Sequence, residues 1–179
     1  GSGLVGSEMC IRDRGQLIEN VILEAEKAWK GETQVDNILL TAPTGSGKSL
    51  LFQLPAIYLG KEYNLLTIVV SPLKALIVDQ VESLQELGYM RVAYASSDLS
   101  PEQKMEVYRQ VREGEIDLFY LSPELLLSYD IKHFVGERRI GLVVVDEAHT
   151  VTTWGKEFRV DYWFLGRYLN TLKQTLGYN

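Results

Sequence analysis

The stretch 36–53, DNILLTAPTGSGKSLLFQ, decides how the rest of the chain is read. An apolar run of strand length, Ile38, Leu39 and Leu40, breaks into a glycine-rich turn at 44–47 and resumes from Lys48 as an apolar segment of helix length. A helix starting there points its unpaired backbone N–H groups back into the turn, and its dipole favours negative charge at that end. Gly45 and Gly47 can adopt backbone angles closed to other residues, which lets a polyphosphate approach the main chain. The spacing predicts a phosphate-binding loop: Thr44, Gly45, Ser46 and Gly47 cradle the phosphates, Lys48 meets the β- and γ-phosphates, and Ser49 offers its hydroxyl to magnesium. Ala42 stands where the general pattern G-x-x-x-x-G-K-[ST] has its first glycine. Such a motif names a nucleotide, not a job.

Upstream, Leu17, Val21, Ala25, Ala28 and Trp29 recur at helical spacing over 16–30, and Gly31 supplies a stop. The first fourteen residues, GSGLVGSEMCIRDR, have no amphipathic period, and 8–14 resembles the translation of a common sequencing adapter. Residues 1–14 are therefore set aside as a non-native or disordered tail, and the domain is placed at 15–179.

Downstream, 65–70 is a continuous apolar run rich in β-branched residues, as a strand covered on both faces requires. Ser71-Pro72 is expected to open a helix as N-cap and first helical residue, with Leu73, Leu76, Ile77, Leu84 and Leu87 as its buried stripe and Gly88 as its end. A short strand is expected at 91–95, and Ser100-Pro101-Glu102-Gln103 reads as a capping box opening a helix to about Glu113, ended by Gly114. Then come a strand at 117–121, a third Ser-Pro start at Ser122-Pro123, a strand at 140–145 apolar enough to be central, and a last helix over 162–176. Strand and helix alternate throughout. That pattern argues for a doubly wound, mostly parallel α/β domain with its site at the carboxyl ends of the strands.

At 179 residues and 46% apolar composition the chain is long enough for one domain with a proper core. No apolar run approaches the roughly eighteen residues of a membrane span, so a cytoplasmic protein, in a bacterial cytoplasm or nucleoid, is expected. The single cysteine, Cys10, excludes a disulfide framework or a cysteine-rich zinc module within these residues. With a net charge of −6, any grip on nucleic acid must be local, made by a few basic side chains and helix ends.

The run DEAH, 146–149, stands at the end of the 140–145 strand. Carboxylates at a strand end are usually only solvated, but in a chain with a phosphate loop they have a use. Asp146 can hold the magnesium that bridges the phosphates, Glu147 can orient and deprotonate the attacking water, and His149 is counted with Lys48 in the catalytic set. Four stretches, APTGSGKSLLFQLPA, VVSPLKALIVDQV, LFYLSPELL and VVVDEAHTVTTWGKEFRVDY, resemble in order the motifs of RecQ-type DNA helicases of superfamily two, within a first RecA-like domain. Alanine at position 42 is a form such helicases commonly use.

That resemblance implies an ATP- and Mg2+-dependent motor that translocates 3′ to 5′ on single-stranded DNA and opens duplex DNA. It also implies a second RecA-like domain outside this chain that supplies an arginine finger, so that the domain is incomplete at its C-terminal end and these residues alone hydrolyse ATP hardly at all. Trp154, Phe158 and Arg159 fit the family's aromatic-rich loop, where a ring and a guanidinium can stack on single-stranded bases. Trp154, Phe158 and Tyr162 are equally spaced as a core stripe on a helix. Thr150, Lys156 and Val160 replace a usual cysteine, histidine and proline. Gln16 corresponds to the family's adenine-reading glutamine, at a longer spacing than usual from Lys48. Ser71, Lys74 and Ser122 correspond to positions near the DNA backbone, although Ser-Pro is also simply an efficient helix start. A binding module without turnover and a small-molecule kinase remain the other classes, and the kinase gives no reason for DEAH or the aromatic loop.

Overall fold

The structure, a computed structural model, describes residues 11–32 and 47–146. The strand expected at 38–40, Thr44, Gly45, Ser46, Glu147, His149, Trp154, Phe158, Arg159 and the helix expected at 162–176 lie outside the described residues.

Four parallel strands form one sheet in the order β2-β3-β1-β4, with β1 at Leu66–Val70, β2 at Val92–Ala95, β3 at Leu118–Leu121 and β4 at Ile140–Val145. β1 pairs with β3 on one side (Thr67 beside Leu118) and with β4 on the other (Thr67 beside Leu142). Parallel strands need crossovers, and helices supply them: α3 (Lys74–Glu86), α4 (Pro101–Arg112), and the short pair α5 (Pro123–Ser128) and α6 (Ile131–Val135). The chain runs from β1 out to β2, back to β3, then past β1 to β4. This is the α/β arrangement of a RecA-like domain.

All five residues of β1 are buried, and alternation sends them to two cores. Leu66, Ile68 and Val70 join Phe119 and Leu121 of β3 under α4, α5 and α6, where Tyr108, Val111 and Phe134 pack. Val69 joins Leu118 and Tyr120 against Phe52 and Ala56 of α2 (Leu50–Tyr63) and Ile77, Val81 and Leu84 of α3. A third cluster seats α1 (Ile11–Trp29) through Ala25 on Leu59 and Leu65. Full burial of a side chain such as Phe119 or Leu59 contributes about 1.5 to 3 kcal/mol.

Several expectations need correction. α1 begins at Ile11, earlier than the start expected at Gln16, because extending a formed helix costs far less than nucleating one and Arg12 to Arg14 contain no breaker. Ser71 does not cap α3: its N–H still bonds the Leu121 carbonyl at 3.1 Å, so the backbone stays in the sheet and the helix starts at Lys74 with Leu73 as N-cap. Leu87 is 84% exposed, since it is the C-cap residue where the stripe runs out, and Val81 takes the buried place instead. β4 lies at the edge of the sheet among the described residues, and beyond Ile140 it is only half-buried. The helix α6 has no counterpart among the expected elements; five residues are too few to show a period. The capping box at Ser100 forms fully, with both reciprocal bonds present.

At the amino end of β3 sits a buried ion cluster. Asp117, 2% exposed, accepts from Arg91 Nε at 2.6 Å and Nη2 at 3.1 Å and from Arg138 Nη2. Arg138 also donates to the carbonyls of Val111 (3.1 Å) and Ile116. One guanidinium thus ties the ends of α4 and β3 to the turn before β4. The α2 helix passes so close that a Cβ on Gly60 would lie 2.6 Å from the Asp117 side chain. Arg138→Ala leaves a buried carboxylate short of a partner and is expected to cost about 3 to 5 kcal/mol, read as a lowered urea midpoint. Gly60→Ala, which adds only a methyl group, should also destabilise; an unchanged midpoint would mean that α2 can move off Asp117 freely.

Candidate functional site

The carboxyl ends of β1 and β4 meet α2 where the chain order reverses, the place at which open α/β sheets bind ligands. Gly47 has φ +72°, a left-handed conformation that favours glycine, and a Cβ there would lie 3.1 Å from the Arg14 guanidinium. Lys48 and Ser49 then form a tight first turn, with Leu50 N–H on the Gly47 carbonyl at 3.2 Å and Leu51 N–H on that of Lys48 at 3.0 Å. Ser49 occupies the N-cap position, yet its hydroxyl makes no capping bond among the described residues. A hydroxyl in that place can serve a ligand instead.

β4 delivers Asp146 to the same point. Its N–H bonds the Val70 carbonyl at 2.9 Å, which continues the sheet by one residue and fixes the carboxylate at the strand end. Lys48 Nζ lies 3.7 Å from Asp146 Oδ1, with side-chain exposures of 23% and 6%. On the other oxygen, Gln80 Nε2 of α3 donates to Oδ2 at 3.4 Å. Gln80 Oε1 accepts from the Tyr120 hydroxyl at 2.7 Å, and that hydroxyl accepts from Gln53 Nε2 of α2 at 3.1 Å. Burial pushes the Tyr120 phenol well above its ordinary value; the Gln53 hydrogen bond opposes this and the Asp146 charge adds to it.

The other expected site residues among those described lie apart from one another. Gln16 is exposed on α1. Ser71 is 2% exposed, with a hydroxyl that finds no partner among the described residues. Lys74 opens α3 on the surface and pairs with Asp98, and Ser122 caps α5 by accepting from Leu125 N–H at 3.4 Å. Gln53, Gln80 and Tyr120 join the site without belonging to the expected set. A signal for them does exist in the sequence: each is a polar side chain at a position where the helix or strand pattern demands a core residue.

The donor set suits magnesium held with a nucleotide. Among the described residues no three His, Cys, Asp or Glu side chains gather into a cage. Magnesium bound through phosphates needs none, since it keeps several waters and takes one or two protein oxygens. The Asp146 carboxylate and the Ser49 hydroxyl are oxygens of that kind. Nor, among the described residues, is any helix long and apolar enough to cross a membrane.

Comparison with known proteins agrees with this geometry. A family profile described as DEAD/DEAH box helicase matches residues 23–177. The ATP-dependent DNA helicase RecQ of Synechocystis sp. is 41% identical over 78% of the chain, and that of Bacillus subtilis 38% over 70%. RecQ of Haemophilus influenzae is 33% identical over 76%. The chain spans 28%, 20% and 22% of the length of these relatives. With Lys48 and Asp146 brought together at the carboxyl ends of parallel strands, and a family match over most of its length, the chain belongs to the DEAD/DEAH box helicases and resembles their RecQ members.

Proposed function

We propose that this chain is the ATP-binding part of a RecQ-like DNA helicase that couples ATP hydrolysis to 3′-to-5′ movement along single-stranded DNA and to the opening of duplexes. The observation that carries the reading is the 3.7 Å approach of Lys48 to Asp146, two residues from opposite ends of the domain that nucleotide hydrolysis requires together. In this reading the Lys48 ammonium turns from Asp146 to the β- and γ-phosphates as nucleotide enters, while Thr44, Gly45, Ser46 and Gly47 hold the phosphates by their backbone. Ser49 and Asp146 hold the Mg2+, which neutralises charge developing on the phosphates. Glu147 orients the attacking water and takes its proton, and His149 completes the set. Gln16 reads the adenine.

DNA is the proposed second partner, engaged by Trp154, Phe158 and Arg159 with help from the start of α3 at Ser71 and Lys74 and from Ser122. A second RecA-like domain would close the nucleotide site and supply an arginine finger, worth about 10³ to 10⁵ in rate. A helicase acting on a bacterial chromosome would work in the cytoplasm or nucleoid.

Three outcomes are expected. Lys48→Ala removes a charge-assisted contact of roughly 1.5 to 3 kcal/mol, so weak Mg-ATP binding should fall below detection in calorimetry; equal binding by both proteins would refute the phosphate-loop reading. Residues 1–179, produced alone, should turn over ATP far more slowly than the roughly 10 s⁻¹ of an ordinary enzyme. In the full-length protein, Trp154→Ala should leave ATP affinity and melting temperature unchanged and remove most of the DNA stimulation of hydrolysis. A core tryptophan would instead cost about 3 to 5 kcal/mol on truncation, and a lowered melting temperature would identify it.

A further inference from the structure

The path Gln53–Tyr120–Gln80–Asp146 links four elements, α2, β3, α3 and the end of β4. Tyr120 is fully buried on β3, Gln53 is 6% exposed on α2, and Asp146 is 6% exposed at the end of β4. Polar groups in such surroundings are costly unless each is satisfied, and a satisfied network there fixes one arrangement. The donor and acceptor inventory leaves little choice here. Tyr120 has a single proton, and its bond to Gln80 Oε1 at 2.7 Å commits that proton. With Oε1 occupied, the Gln80 amide must turn its NH2 towards Asp146, where it donates to Oδ2 at 3.4 Å. Gln53 Nε2 donates to the remaining side of the phenol oxygen at 3.1 Å. Flipping the Gln80 amide would put two NH2 groups on the phenol oxygen, leave its proton without an acceptor, and set a carbonyl oxygen against the Asp146 carboxylate. Burial keeps the phenol protonated, so it remains a donor.

We infer that Gln53, Tyr120 and Gln80 are positioning residues that hold the Asp146 carboxylate in the orientation that takes the nucleotide's metal ion. The inference deepens the proposed function and rests on its reading of Asp146. Through Gln53 the relay is anchored on the helix that carries Lys48 and Ser49, and through Gln80 on α3. The two sides of the metal position are thereby set relative to one another by hydrogen bonds rather than by packing alone. Groups that orient a metal ligand in this way typically contribute about 10- to 100-fold in metal affinity or activity.

The test uses the full-length protein with Mn2+ as the probe. Mn2+ affinity is read by electron paramagnetic resonance in the presence of a non-hydrolysable ATP analogue, beside the Mg2+ dependence of ATP turnover. Tyr120→Phe, which removes one oxygen and keeps the ring, should weaken Mn2+ binding about 10-fold, leave metal-free nucleotide affinity unchanged, and recover turnover at high Mg2+. Gln80→Leu, on a less buried position, should do the same. Asp146→Asn separates the two levels of the argument. If it leaves Mn2+ affinity unchanged, the reading of Asp146 falls and the relay with it. If it abolishes Mn2+ binding while Tyr120→Phe and Gln80→Leu bind as tightly as the unmodified protein, the relay alone is overturned. A Tyr120→Phe protein with a lower melting temperature and unaltered Mn2+ affinity likewise overturns it, by showing that the hydroxyl serves only the core.

Discussion

Everything in this domain depends on β1 being buried on both faces. A parallel strand in that position must be covered by helices above and below, so every connection leaves at a carboxyl end and returns at an amino end. The five residues Leu66–Val70 satisfy the constraint by sending side chains alternately into two cores. With β3 on one side and β4 on the other, β1 is an inner strand, and the carboxyl ends of β1 and β4 lie together beside the start of α2. Lys48 and Asp146 meet there because α2 begins and β4 ends at that place. The site follows from the sheet, and the sheet from an apolar run of five residues.

The two ends of the sheet use charge in opposite ways. At the amino end, Asp117 is held by Arg91 and Arg138, with the Arg91 contact at 2.6 Å and Arg138 itself also bound to two carbonyls. Such a pair is a lock: breaking one partner strands a charge in a dry interior. At the carboxyl end, Lys48 Nζ lies 3.7 Å from Asp146 Oδ1, and Gln80 donates to Oδ2 at 3.4 Å. The amino end holds its carboxylate between two guanidiniums, and the carboxyl end sets its own beside an ammonium and an amide.

Much of this is readable from the sequence because it rests on local signals. The β1 and β3 runs, the capping box at Ser100 and the glycine stops at Gly88 and Gly114, both at positive φ, each announce themselves within a few residues. The approach of Lys48 to Asp146 is legible too, since two motifs in a fixed order constrain each other. What the sequence hides depends on contacts between distant segments. Asp117 looks like the polar edge of a strand until Arg91 and Arg138 are beside it, and Gln53 and Gln80 look like tolerated polar residues on helices until Tyr120 joins them. The start of α1 is hidden for a different reason: a helix can run into a stretch that has no period of its own. The strand expected at 38–40 and the aromatic loop with Trp154, Phe158 and Arg159 lie outside the described residues.

The three Ser-Pro dipeptides show how context decides between identical local signals. Ser100 makes both bonds of a capping box, and Ser122 makes a single weak one at 3.4 Å. Ser71 makes neither, since its N–H is already committed to the Leu121 carbonyl and its hydroxyl is buried. Ser122 follows β3 directly and turns at once into a helix, and Ser100 follows a turn over 96–99 that separates it from β2. Ser71 follows the central strand, where a neighbouring carbonyl on β3 extends the ladder by one more rung and defers the helix to Lys74. That deferral has a consequence for the site. It adds an irregular step, Pro72 and Leu73, between β1 and the helix that carries Gln80, the amide facing the Asp146 carboxylate.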